Sequence, residues 1–96
     1  MERGRGTLIE FYVDGSPSGI YEGQWSSGKL NGPGRVIQKG AIYRGSFKEG
    51  RFDGHGVYVW AGGKKYVGKY FEGFAAGKGE LSWPDGTRYQ GHFLRN

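Results

Sequence analysis

The chain has 96 residues, no cysteine, 21 glycines and a formal net charge of +5. One small domain with a modest core is all that this length allows, and the missing cysteines exclude a disulfide framework and a thiolate metal site. Glycine at roughly three times ordinary usage, beside 17% aromatic residues, excludes a disordered linker and points to many short strands joined by tight turns.

Residues 1–20 read as the second half of a repeat: Gly4-Arg5-Gly6, then Thr7-Leu8-Ile9-Glu10-Phe11-Tyr12. Surplus residues around Asp14-Gly15-Ser16-Pro17-Ser18-Gly19 predict a longer loop there. No apolar run follows the N-terminus as it would in a secretory leader. No segment reaches the roughly 18 apolar residues of a membrane-spanning helix, so a soluble, cytoplasmic protein is expected.

Three full units follow, 21–42, 43–65 and 66–88, and a half unit, 89–96. They open on Tyr21-Glu22-Gly23-Gln24-Trp25, Tyr43-Arg44-Gly45-Ser46-Phe47, Tyr66-Val67-Gly68-Lys69-Tyr70 and Tyr89-Gln90-Gly91-His92-Phe93. The tyrosines are spaced by 22, 23 and 23 residues. Seven residues after each of the first three comes a glycine (Gly28, Gly50, Gly73), and eleven after comes a Gly-x-Gly pair: Gly32 and Gly34, Gly54 and Gly56, Gly77 and Gly79. Each unit divides into two strands of period two. Turn residues fill both gaps, as in Glu49-Gly50 and Asp85-Gly86. The expected fold is all-β: a single-layer, twisted antiparallel meander of about eight strands, roughly 35–40 Å across. Tyr, Gly and the second aromatic of each unit share one face. The other face is expected to be polar apart from Val57, Val59 and Val67. Gly23, Gly45 and Gly68 leave room for aromatic rings to lie over the backbone, and the Gly-x-Gly pairs are expected to open the second strand of each unit, as structural turns rather than phosphate loops.

Tyr21-Glu22-Gly23-Gln24-Trp25-Ser26-Ser27-Gly28-Lys29-Leu30-Asn31-Gly32-Pro33-Gly34 resembles the MORN repeat (membrane occupation and recognition nexus) at every marked position of that motif. The next two units keep the Tyr and the glycines. Phe47 and Tyr70 stand in place of Trp, and Arg51 and Phe74 in place of Lys. The resemblance implies stacked hairpins in one layer, protein-binding or membrane-apposed scaffold roles, and no shared catalysis or cofactor.

Candidate sites follow from these patterns. The Gly-x-Gly elements lack the following helix of a dinucleotide fingerprint and the Lys-Ser/Thr of a phosphate loop. His55 and His92 have no metal-ligand spacing, and neither a nucleophile elbow nor a nucleic-acid motif is present. A single-layer sheet has no second layer to bury its aromatic face, and an uncovered apolar patch marks an interaction surface. The expected partner is therefore a protein helix or extended segment, held by Tyr43, Phe47, Tyr58, Trp60, Tyr66, Tyr70 and Trp83. On this reading Tyr43→Ala with Trp60→Ala abolishes partner capture and leaves the β-type circular dichroism largely intact. Two further expectations are edge-to-edge assembly, as in a ciliary or cytoskeletal complex, and contact of the scattered Lys and Arg side chains, from Lys29 to Arg95, with anionic lipid.

Overall fold

The computed structural model describes residues 3–94; Met1, Glu2, Arg95 and Asn96, including the Arg95 of the expected lipid-facing set, lie outside the described residues. Eight strands follow in chain order: β1 (Arg3–Phe11), β2 (Pro17–Ser26), β3 (Lys29–Gln38), β4 (Ala41–Lys48), β5 (Arg51–Val59), β6 (Lys65–Phe71), β7 (Phe74–Ser82) and β8 (Arg88–Phe93). Each pairs antiparallel with its chain neighbours, in one sheet whose order is the sequence order. The molecule measures 41 × 32 × 17 Å. This is the single-layer meander expected.

The turns explain the pairing. Ser27-Gly28, Lys39-Gly40, Glu49-Gly50 and Glu72-Gly73 are two-residue turns with both residues left-handed, φ 51–53° at the first and 79–90° at the second. That conformation matches the right-handed twist of the strands it joins. The other three reversals, Tyr12–Ser16, Trp60–Lys64 and Trp83–Thr87, share another design. The first residue's amide donates to the last residue's carbonyl at 2.8–2.9 Å, and a glycine at the fourth place donates back at 2.9–3.0 Å. Asp14 and Asp85 tighten two of them, each accepting a bond of 2.9 Å from the amide two residues on. The surplus near the N-terminus is therefore not the longer loop expected. The reversal takes five residues, Tyr12 to Ser16, and the rest extends the strands, with Glu10 opposite Gly19 and Phe11 opposite Pro17.

A line of glycines crosses the sheet. Gly6, Gly23, Gly34, Gly45, Gly56, Gly68, Gly79 and Gly91 stand opposite one another in turn, one per strand. The Gly-x-Gly pairs are thus not turns; they lie inside β3, β5 and β7, and their two members do different work. The first (Gly32, Gly54, Gly77) has φ of +90° to +94° beside a register shift in each of the hairpins β2–β3, β4–β5 and β6–β7, which is the geometry of a bulge. The second belongs to the glycine line and supplies space. A Cβ on Gly56 would come 2.4 Å from the Tyr43 hydroxyl oxygen, and one on Gly79 2.5 Å from that of Tyr66.

Neighbouring units are also stitched at one end of the sheet. Gly50 N donates to the Leu30 carbonyl and Gly73 N to the Phe52 carbonyl, both at 2.9 Å. Beside them Glu49 N donates to Asn31 Oδ1 at 3.0 Å and Glu72 N to Asp53 Oδ2 at 3.3 Å.

Candidate functional site

One face carries the tyrosines. Leu8, Tyr21, Val36, Tyr43, Tyr58, Tyr66, Leu81 and Tyr89 oppose one another across all eight strands. On one side of this row, beyond the glycine line and toward the stitched turns, lie Trp25, Leu30, Phe47, Phe52, Tyr70, Ala75 and Phe93. On the other side lie Glu10, Gln38, Trp60, Lys64 and Trp83.

The two sides differ in burial. The core consists of Leu30, Val36, Tyr43, Phe47, Tyr66, Tyr70, Ala75 and Phe93. It is held by a repeated edge-to-face contact: Tyr43 on Phe47 at 5.1 Å, Tyr66 on Tyr70 at 5.2 Å, Tyr89 on Phe93 at 5.4 Å. The same geometry links successive units, Tyr43 to Tyr70 at 5.4 Å and Tyr66 to Phe93 at 5.0 Å. Phe52 stacks flat on Tyr43 at 3.8 Å. The two most deeply buried rings satisfy their hydroxyls: Tyr43 donates to the Ser46 carbonyl at 2.9 Å and Tyr66 to that of Lys69 at 2.8 Å. Burial, reinforced by the Asp53 carboxylate, pushes the Tyr43 phenol up to about 12, and burial likewise raises Tyr66 and Tyr70.

Tyr21 breaks the pattern. Its ring leans the other way, over Gly19. Its hydroxyl accepts from the Gln38 amide at 3.0 Å and donates to Glu10 at 3.2 Å. Trp25 covers the line in its place, its indole N–H donating to the Gly6 carbonyl at 3.0 Å.

The seven residues expected to meet a partner therefore divide. Tyr43, Phe47, Tyr66 and Tyr70 are 1–8% exposed and belong to the core; their rings face each other and the glycine backbone, because the tyrosines fold down over the glycine line. Tyr58 and Trp83 are half-buried, and Trp60 is 36% exposed. With Leu8, Tyr21 and Leu81 these three line an open apolar strip on the side away from the stitched turns, whereas Tyr89 leans over Gly91 toward Phe93 as Tyr43 and Tyr66 do over their glycines. Tyr58 and Trp60 touch at 4.7 Å. The Lys64 ammonium lies 4.7 Å from the Trp60 ring centre and 5.8 Å from that of Trp83.

The second face is less polar than expected. Ile9, Ile20, Ile37, Ile42 and Val59 oppose one another across β1 to β5, and Val57 faces Val67. Arg44, Lys65, Lys69, Lys78 and Arg88 share that face, with a half-buried ion pair, Arg35–Glu22 at 2.7 Å, and a more exposed one, Arg88–Glu80 at 3.2 Å. His55 faces Lys69 and His92 faces Lys78, three strands apart. Among the described residues no three His, Asp or Glu side chains gather as metal ligands would.

Sequence-ordered hairpins, a glycine line and a self-packed aromatic layer define a repeat protein in which each unit is held by its neighbours. The MORN repeat model matches residues 21–37, 43–65 and 66–88, and the chain belongs to the MORN-repeat family. Repeats of this family are non-enzymatic modules with protein- and membrane-binding scaffold roles.

Proposed function

We propose that this chain is a protein–protein scaffold module that takes up an apolar helix or extended segment along the open strip of its aromatic face. The carrying observation is the exposure of Trp60 (36%) and Leu8 (47%) beside half-buried Tyr58 and Trp83, all seated on a close-packed layer. Such a strip needs little reordering on binding, which favours affinity, and Trp and Tyr are the residue types that dominate contact energy. The outer edges of β1 and β8 have no strand partner among the described residues, which gives docking into a larger cytoplasmic assembly, cytoskeletal or ciliary, a route.

A photo-cross-linking amino acid placed at Trp83, and a control at Val57 on the second face, test the reading. The expected result is a saturable adduct with a discrete partner from position 83 only, lost with Trp60→Ser. Equal labelling from both faces would refute the strip as the contact.

The second face favours a second reading, a peripheral module on anionic phospholipid. Ile37, Ile42 and Val59 would enter the interface while Arg44 and Lys65 meet headgroups, each cation contributing about 1 kcal/mol. Sedimentation with phosphatidylserine vesicles that Ile42→Asp abolishes and Trp83→Ser leaves intact would favour this reading over the first.

A further inference from the structure

We infer that the open strip carries opposite charges at two separated points, Glu10 and Lys64, and that Lys64 is the seat for an acidic side chain of the partner segment. This inference rests on the partner-binding reading of the strip. Lys64 stands two residues before Tyr66, where the other units carry Gly19, Ala41 and Thr87, so its charge is no part of the repeat. Its backbone is fixed, because its carbonyl accepts from Trp60 N at 2.9 Å across the turn. Its ammonium is held over Trp60 at 4.7 Å and near Trp83 at 5.8 Å. Among the described residues the ion pairs are Arg35–Glu22 and Arg88–Glu80, and neither includes Lys64. A cation placed by two indole rings, on a half-buried stem and without a counter-charge, is oriented before any partner arrives. A carboxylate laid on the strip beside it gains a charge-assisted contact without ordering that side chain.

The opposite end carries the opposite charge. Glu10 on β1 lies in the same row and accepts from the Tyr21 hydroxyl at 3.2 Å, which itself accepts from Gln38 at 3.0 Å. Five strand steps separate Glu10 from Lys64, about 24 Å at ~4.8 Å per strand. The partner is thus an apolar segment that crosses the strands, with an Asp or Glu over Lys64 and a Lys or Arg over Glu10. Those charges stand about 16 residues apart in a helix and about 7 apart in an extended segment.

A displayed library of peptides about 20 residues long, enough to span both cases, is selected on the full chain at low salt. Wild type is expected to enrich apolar peptides with an acid at one end and a base at the other, and Lys64→Glu to exchange that acid for a base. On a single selected peptide Lys64→Met lowers affinity about tenfold and flattens its salt dependence, with the circular dichroism unchanged. Enriched apolar peptides without a charge preference, or a preference that Lys64→Glu does not move, overturn the assignment and leave the strip standing. No enrichment, or peptides whose binding survives Trp60→Ser with Trp83→Ser, overturns the strip and the assignment with it.

Discussion

The two sides of one aromatic face have opposite fates. Toward the stitched turns Phe47, Tyr70 and Phe93 are 5–8% exposed, while away from them Trp60 is 36% exposed although it is as large and as apolar. The difference comes from where the tyrosines lean. Tyr43 and Tyr66 fall across the glycine line toward Ser46 and Lys69, filling one side and uncovering the other. Aromatic content alone therefore does not mark a binding surface; the direction in which the neighbouring ring leans decides it.

The largest way to separate the two sides is truncation. Tyr43→Ala leaves a ring-sized void and is expected to cost about 3–5 kcal/mol, enough to unfold most of a domain this small. Trp83→Ala is expected to cost about 1 kcal/mol. Urea denaturation of both variants reads the contrast, and equal losses would erase the distinction. This reverses the expectation that Tyr43→Ala with Trp60→Ala leaves the circular dichroism largely intact.

A smaller effect is expected from a single methyl. Gly56→Ala puts a Cβ within 2.4–2.6 Å of the Tyr43 ring, whereas Gly62→Ala meets nothing within 4 Å. The first is expected to cost about 3 kcal/mol, as overpacking does, and the second less than about 0.5 kcal/mol; thermal melts distinguish them.

Alkaline pH probes the same layer. The folded chain holds the Tyr43 proton more tightly than the unfolded chain, whose tyrosines ionise near 10. Its contribution is complete below pH 10 and is lost as pH rises toward about 12. Tyr43 alone is expected to lower the stability measured by urea midpoint across that window by about 2–3 kcal/mol, and Tyr43→Phe to remove that share of the fall, with Tyr66 and Tyr70 adding to what remains. The smallest effect belongs to the stitch. Asp53→Ala removes the acceptor for Glu72 N and is expected to cost about 0.5–1 kcal/mol, read as a small shift in melting temperature.

Much of this was legible in the residues. The Tyr-x-Gly period located every even-numbered strand from β2 to β8, and the Gly28, Gly50 and Gly73 signals located three turns, because period-two patterning and left-handed glycine are local properties. What escaped depends on neighbours several strands away. Gly32 and Gly34 look alike in the motif, yet one bends a strand and the other clears a ring. Ile20 and Ile42 directly precede their tyrosines, and Ile37 and Val59 follow Val36 and Tyr58. That offset was the available signal for the aliphatic row on the second face. The lean of Tyr21 away from its expected place follows from Glu10 and Gln38, which no other unit reproduces. Lys64 sits outside the motif, so only the turn geometry shows that it reaches two tryptophans.

The line of glycines has a mechanical meaning. Eight strands that all lack a β-carbon at one level form a plate scored across its width. Each strand can flex at that score, but not equally in both directions. Folding the plate toward the tyrosines drives the Tyr43 and Tyr66 rings into Gly45, Gly56, Gly68 and Gly79, where contact is already tight. Folding it the other way brings no ring onto the glycines. The tight rings thus set a stop against closing the sheet toward the aromatic face.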